Sequence, residues 1–115
     1  MNVVHPVVAA TTTIDGALKD VADVDPVFMD VADQRTVLLE LTRLEARLAE
    51  LRLRVMAASG QVAADEGARD VAAWLAHRAR LDRGECRRDL GLATRLERHR
   101  PVLAEALRAG EVNRA

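Results

Sequence analysis

The sequence predicts an all-α fold, a long amphipathic helix packed by three shorter helices, with a helix-turn-helix-like pair among them. Three observations carry this. Ala, Leu, Arg and Glu, all strong helix formers, crowd the region after residue 34. Apolar residues recur there at spacings of three and four, the period of one helix face. Few β-branched residues fall in the alternating runs that a half-buried strand needs. A chain of 115 residues is enough for one ordinary domain. Half of it is apolar, mostly Leu, Val and Ala, and Trp74 and Phe28 are the only aromatics.

Residues 1–34 read as an acidic, weakly structured leader to a helical domain over 35–115. The first 14 residues hold no Asp, Glu, Lys or Arg, and Pro6 interrupts the valines at 3, 4, 7 and 8. A secretory signal needs a basic start and a longer apolar run, so this stretch reads as a disordered leader. Residues 14–25 are expected to form a short helix with Thr13 as N-cap and Leu18 and Val21 facing inward. Asp25-Pro26 breaks it, because the residue before proline is pushed out of the helical region.

The strongest signal follows. Val37, Leu41, Leu44, Leu48, Leu51, Val55 and Ala58 form a helix stripe sustained for three heptads. Ser59-Gly60 ends that helix. The flanking charges test whether it zips with a copy of itself. In a parallel pair, Glu40 meets Glu45 and Arg47 meets Arg52, so a parallel homodimeric coiled coil is disfavoured. An antiparallel pair sets Arg47 near its own copy, so the pattern argues against self-pairing in either direction. The expectation is therefore packing against other helices of the same chain.

A loop is expected over 61–69, around Gly67. A helix then runs from about Asp70, its N-cap, to Ala79, with Val71, Trp74 and Leu75 inward. Asp82-Arg83-Gly84-Glu85 reads as a capping box for the next helix, over 83–98. Cys86, Leu90, Ala93 and Leu96 share one face of it. Arg100-Pro101 is expected to stop it, with Pro101 opening a short helix over 102–109. Val102, Leu103, Ala106 and Leu107 form the apolar side of that helix. Gly110 suits a C-terminal cap, and Asn113 the N-cap of a helix the sequence does not complete.

The charge is uneven. Residues 1–33 hold six Asp and one Lys, whereas residues 34–115 hold sixteen Arg against twelve acids. Arginine can make bidentate phosphate contacts, but a GC-rich genome also favours it over lysine, and the charge balance alone does not choose. Cys86 is the only cysteine, which excludes an intrachain disulfide and a cysteine-based zinc site and fits a cytoplasmic protein. No run approaches the roughly 18 apolar residues of a transmembrane helix.

Several pieces together resemble the 13E12-repeat family of actinobacteria, whose shared region is known as domain of unknown function 222. They are Gly67-Ala68-Arg69, Val71-Ala72-Ala73-Trp74-Leu75, the acceptor at Asp82, then Leu90, Ala93 and Leu96. Pro101, Ala106-Leu107 and Gly110-Glu111-Val112 complete the set. The resemblance covers about residues 35–115. The family usually has Ser or Thr where Asp70, Asp82 and Asn113 stand here. It implies the N-terminal part of an HNH-endonuclease-associated protein. Family members typically continue through further helices, so the resemblance also implies that this chain is either a copy truncated at its C-terminus or a fragment.

The chemistry of an HNH site itself is missing. Such a site clusters His and Asn around a divalent metal, whereas His5, His77 and His99 are far apart in sequence. No catalytic residue, metal ligand or cofactor is expected. Cys86, on an apolar helix face with no base placed for it, reads as a small core residue. The remaining candidate is DNA. The helices at 70–79 and 83–98, with a three-residue turn, have helix-turn-helix proportions. Arg87, Arg88, Arg95 and Arg98 lie opposite the apolar face of the second. The competing reading is a solvated polar face, neutralised in part by Glu85, Asp89 and Glu97. The expected function is a noncatalytic helical domain that assists DNA engagement; the alternative is an interaction or scaffold module with no nucleic-acid contact.

Overall fold

A computed structural model of the chain describes the backbone of residues 3–108 and the side chains of residues 3–98. The fold is all-α, with no strand among the described residues. Five α-helices follow in order: α1 (Pro6–Asp20), α2 (Val31–Ala58), α3 (Gly60–Asp65), α4 (Val71–Ala79) and α5 (Arg83–Arg108), with a 3₁₀ turn at Pro26–Phe28 before α2. The chain divides into two compact units, Met1–Glu40 and Leu41–Ala115, and the division falls inside α2.

The first unit is more helical than its composition suggests. α1 spans Pro6–Asp20 instead of starting at Thr13. Pro6 sits in the first turn, where its missing N–H costs nothing. The His5 Nδ1 accepts a hydrogen bond from the Val7 amide at 3.0 Å and so caps the end. Thr13 lies mid-helix and donates to the Ala9 carbonyl; Thr11 and Thr12 donate to that of Val8. These back-bonds occupy hydroxyls that would otherwise compete with the helix. Leu18 and Val21 do not face a core: no residue of α1 is buried. The helix does not reach the expected break at Asp25-Pro26: it ends at Asp20, and Asp25 instead caps the 3₁₀ turn by accepting from the Val27 amide. Gln34 Nε2 donates to the Pro26 carbonyl at 3.2 Å and ties that turn to the start of α2.

The core lies in the second unit. One cluster joins Met56 of α2, Val71 of α4 and Ala93 of α5, flanked by Leu53, Ala57, Trp74, Leu75 and Leu90. Another joins Ala72, Ala76 and Cys86, and Leu75 and Leu90 belong to both margins. Most of these buried residues are small. Ala72, Ala76, Cys86 and Ala93 let the α4 and α5 backbones approach closely, so the pair packs through short side chains.

Three sequence expectations are corrected here. First, residues 60–65 are helical, where a loop was expected. The Gly67 amide bonds the Ala64 carbonyl and the Ala68 amide bonds that of Ala63, with Gly67 at φ +69°. That is a Schellman ending, and it needs a residue tolerant of the left-handed region. Second, α5 does not stop before Pro101 but runs through it to Arg108. Proline removes one backbone bond and disfavours the preceding residue, yet its own φ is helical. Strong helix formers on both sides carry the helix past it. The expected caps at Gly110 and Asn113, and the apolar side chains at 102–107, lie outside the residues so described.

The third correction concerns the α2 stripe. Most of it does not pack on other helices of the second unit; of the stripe residues there, only Leu51 is half-buried. Leu41, Leu44, Leu48 and Val55 are between 42 and 50% exposed, and Val37 is 38% exposed. What α2 buries is a different face at its C-terminal end, Leu53, Met56 and Ala57. At about 100° per residue, that face lies on the side opposite the stripe.

Candidate nucleic-acid interface

The α4–turn–α5 segment positions the four arginines expected to meet DNA. α4 begins at Asp70, whose Oδ1 accepts from the Ala73 amide at 2.8 Å. This is the N-cap the sequence announces. Trp74, half-buried, donates from Nε1 to Glu66 Oε1 at 3.3 Å, and Arg78 Nη1 lies 4.0 Å from the same oxygen. Glu66 thus holds α4 to the end of α3.

The turn Arg80-Leu81-Asp82 reverses the chain. Arg80 adopts φ 58°, ψ 47°, and its amide and that of Leu81 both turn back to the Ala76 carbonyl. A left-handed residue with a Cβ carries a penalty of about 1–2 kcal/mol, and turns of this kind often use glycine. Asp82 then caps α5. Its Oδ2 accepts from the Glu85 amide at 2.8 Å, and its carbonyl from the Cys86 amide. This is half of the expected capping box, because among the described residues Glu85 does not return the bond to Asp82.

On α5, Cys86 and Ala93 are buried and Leu90 is half-buried against α4. Arg87, Arg88, Arg95 and Arg98 are all exposed. Counted at about 100° per residue, they occupy an arc of about 100° on the side away from the core. None of the four makes an ion pair with another described residue. Asp89 is turned toward α2, where its Oδ2 meets Arg52 Nη1 at 3.3 Å. It therefore does not pair with the four arginines, which are as exposed as a solvated polar face would leave them. Glu85 and Glu97 also fall outside that arc on the helix projection.

Two residues that the sequence reading passed over complete the surface. Gly84 and Gly91, seven apart, lie in the middle of the same arc. A Cβ on Gly91 would stand 3.6 Å from Arg95 Nη1, and one on Gly84 would stand 3.6 Å from Arg88 Nη1 and 3.1 Å from Asp82 Oδ2. So Arg88 and Arg95 lie back along the helix over the two glycines, the direction in which helical side chains lean. The helix surface is correspondingly low beneath them. A repeated arginine-glycine spacing was the available signal.

The other chemistry-bearing residues do not converge. His5 caps α1. His77 is exposed on α4, where it lines a shallow depression with Ala73, Ala76 and Arg83. The His99 side chain is outside the described set. Among the described residues no group of three or more His, Cys, Asp or Glu is placed to hold a metal. No described helix is long and apolar enough to cross a membrane. Comparison with known proteins identifies no relative: no family model, no curated protein and no solved structure matches the chain.

Proposed function

We propose that this chain is a noncatalytic helical module, of the 13E12-repeat kind, that assists DNA engagement in the cytoplasm through the outer face of α5. The observation that carries the reading is the un-neutralised arc of Arg87, Arg88, Arg95 and Arg98, with Asp89 drawn away by Arg52. Guanidinium groups so placed can contact phosphates along a groove wall without reading sequence. Gly84 and Gly91 let Arg88 and Arg95 lie close over the helix surface, where their guanidinium groups would meet the duplex backbone. No aromatic stands among the arginines, which favours duplex over stacked single strands.

The test is fluorescence anisotropy with a labelled duplex over a range of salt. Four phosphate contacts give a slope of about −3 to −4 in log affinity against log salt. Replacing all four arginines by Gln abolishes binding with helicity unchanged. Binding that survives the replacement, or is absent from the start, favours the alternative scaffold module. The observation on the side of that alternative is the exposed α2 stripe.

A further inference from the structure

The α2 stripe stays exposed although its spacing is that of a coiled-coil seam. Leu41, Leu44, Leu48 and Val55 are each more than two-fifths exposed. The helix that bears them is continuous from Val31 to Ala58, about 42 Å long. Its packed residues, Leu53, Met56 and Ala57, are on the far side, so the stripe is not turned toward the chain's own core.

Charge chooses the occupant. Take Val37, Leu44 and Leu51 as one set of seam positions and Leu41, Leu48 and Val55 as the other. The seam is then edged by Asp33, Glu40, Arg47 and Arg54 on one side, acidic in its first half and basic in its second. An antiparallel pair sets this edge against its own reverse. With the twofold axis between Thr42 and Arg43, Leu41 faces Leu44 of the second copy and Val37 faces Leu48. The edge then places Glu40 beside Arg47 and Asp33 beside Arg54, each pair occurring twice. The other edge places Leu38 beside Glu45 and Val31 beside Arg52, with no like charges in contact. Sliding one copy by a heptad spoils this in either direction. One way brings Arg47 onto Arg47 and Glu45 onto Glu45; the other brings Glu40 onto Glu40.

We propose that α2 pairs antiparallel with α2 of a second copy of this chain, centred between Thr42 and Arg43. The antiparallel arrangement dismissed on the Arg47 contact is the same seam one heptad out of register. Arg54 already holds Glu50 within its own helix, at 2.7 Å from Nε. Its contact with Asp33 of the second copy therefore competes with that intrahelical pair. The seam is separate from the α5 arginines and does not rest on their binding DNA.

Sedimentation equilibrium on the full chain, from micromolar to millimolar concentration, tests the pairing. The expected species is a dimer. Glu40→Arg alone or Arg47→Glu alone replaces two opposite-charge contacts by two like-charge ones and weakens the dimer by about tenfold. The double variant Glu40→Arg/Arg47→Glu restores the wild-type affinity. Circular dichroism on each variant confirms that the exposed substitutions leave the helix intact. A Leu41→Gln/Leu44→Gln variant with unchanged helicity is monomeric. A wild-type chain monomeric throughout the range overturns the proposal and points to coverage by another part of its own chain. Dimers whose affinity ignores the single swaps, or whose double variant stays as weak as the singles, overturn the register.

Discussion

α2 and α5 are nearly matched in length, 28 and 26 residues, and both are rich in Leu, Arg and Glu. Their apolar faces nevertheless meet different fates. α5 turns Cys86, Leu90 and Ala93 onto α4, and two of the three are buried. α2 carries the longer and more regular stripe and leaves most of it in solvent. The difference lies in what each helix has to face. α4 presents Ala72, Ala76 and Val71, a low surface on which another helix can lie. Over most of its length α2 is given no such surface within the second unit, only the contact at Leu53, Met56 and Ala57. Periodicity specifies that a face exists; a neighbour of matching shape decides whether it is buried.

Substitution at the one point where α2 joins the core should have the largest effect. Met56 is 4% exposed, so Met56→Ala leaves a cavity, and the expected loss is about 2–5 kcal/mol in chemical denaturation. A loss below about 0.5 kcal/mol, the range of surface changes, would erase the contrast between the two faces of α2. Capping comes next. Asp70→Ala removes the acceptor for the Ala73 amide and should cost about 1 kcal/mol, with α4 fraying first in hydrogen exchange.

Gly91→Ala tests the outer face of α5 in the opposite direction. The new methyl meets only ordinary contact with Arg95, so the protein should gain about 0.5–1 kcal/mol from reduced backbone freedom in the unfolded chain. If the same variant binds duplex DNA more weakly, the glycine serves close approach; unchanged binding would limit its role to permissiveness. The smallest effect belongs to Leu48→Ala. At dilutions where the chain is monomeric it should shift stability by no more than about 0.5 kcal/mol, although the same change in α5's inner face would be severe.

Much of the architecture was legible in the sequence because it is written in local chemistry. Asp70 and Asp82 announce helix starts, and Ser59-Gly60 announces the end of α2. The small-residue face of α5 and the arginines opposite it follow from spacing alone, and the structure keeps them apart as expected. Other features depend on terms that a residue pattern does not contain. α1 was hidden because Val7, Val8, Thr11, Thr12 and Thr13 are weak helix formers whose threonine back-bonds appear only once the helix exists. α3 was hidden because six residues are too few to show a period, though Gly67 did carry its terminal signal. The direction of the α2 stripe was not legible at all. Spacing is unchanged by rotating a helix, and only Met56, which lies off the stripe, reveals which side meets the core.

The place of Cys86 has a consequence for the chain as a chemical reagent. It is the only thiol, and it is 1% exposed in the α4–α5 contact. An alkylating reagent, or the thiol of another copy, can reach it only after those two helices separate. The rate of labelling at Cys86 is therefore a clock for that separation, read without any introduced probe. Disulfide-linked pairs, for the same reason, would form from opened molecules and accumulate as a record of how often the helices have parted.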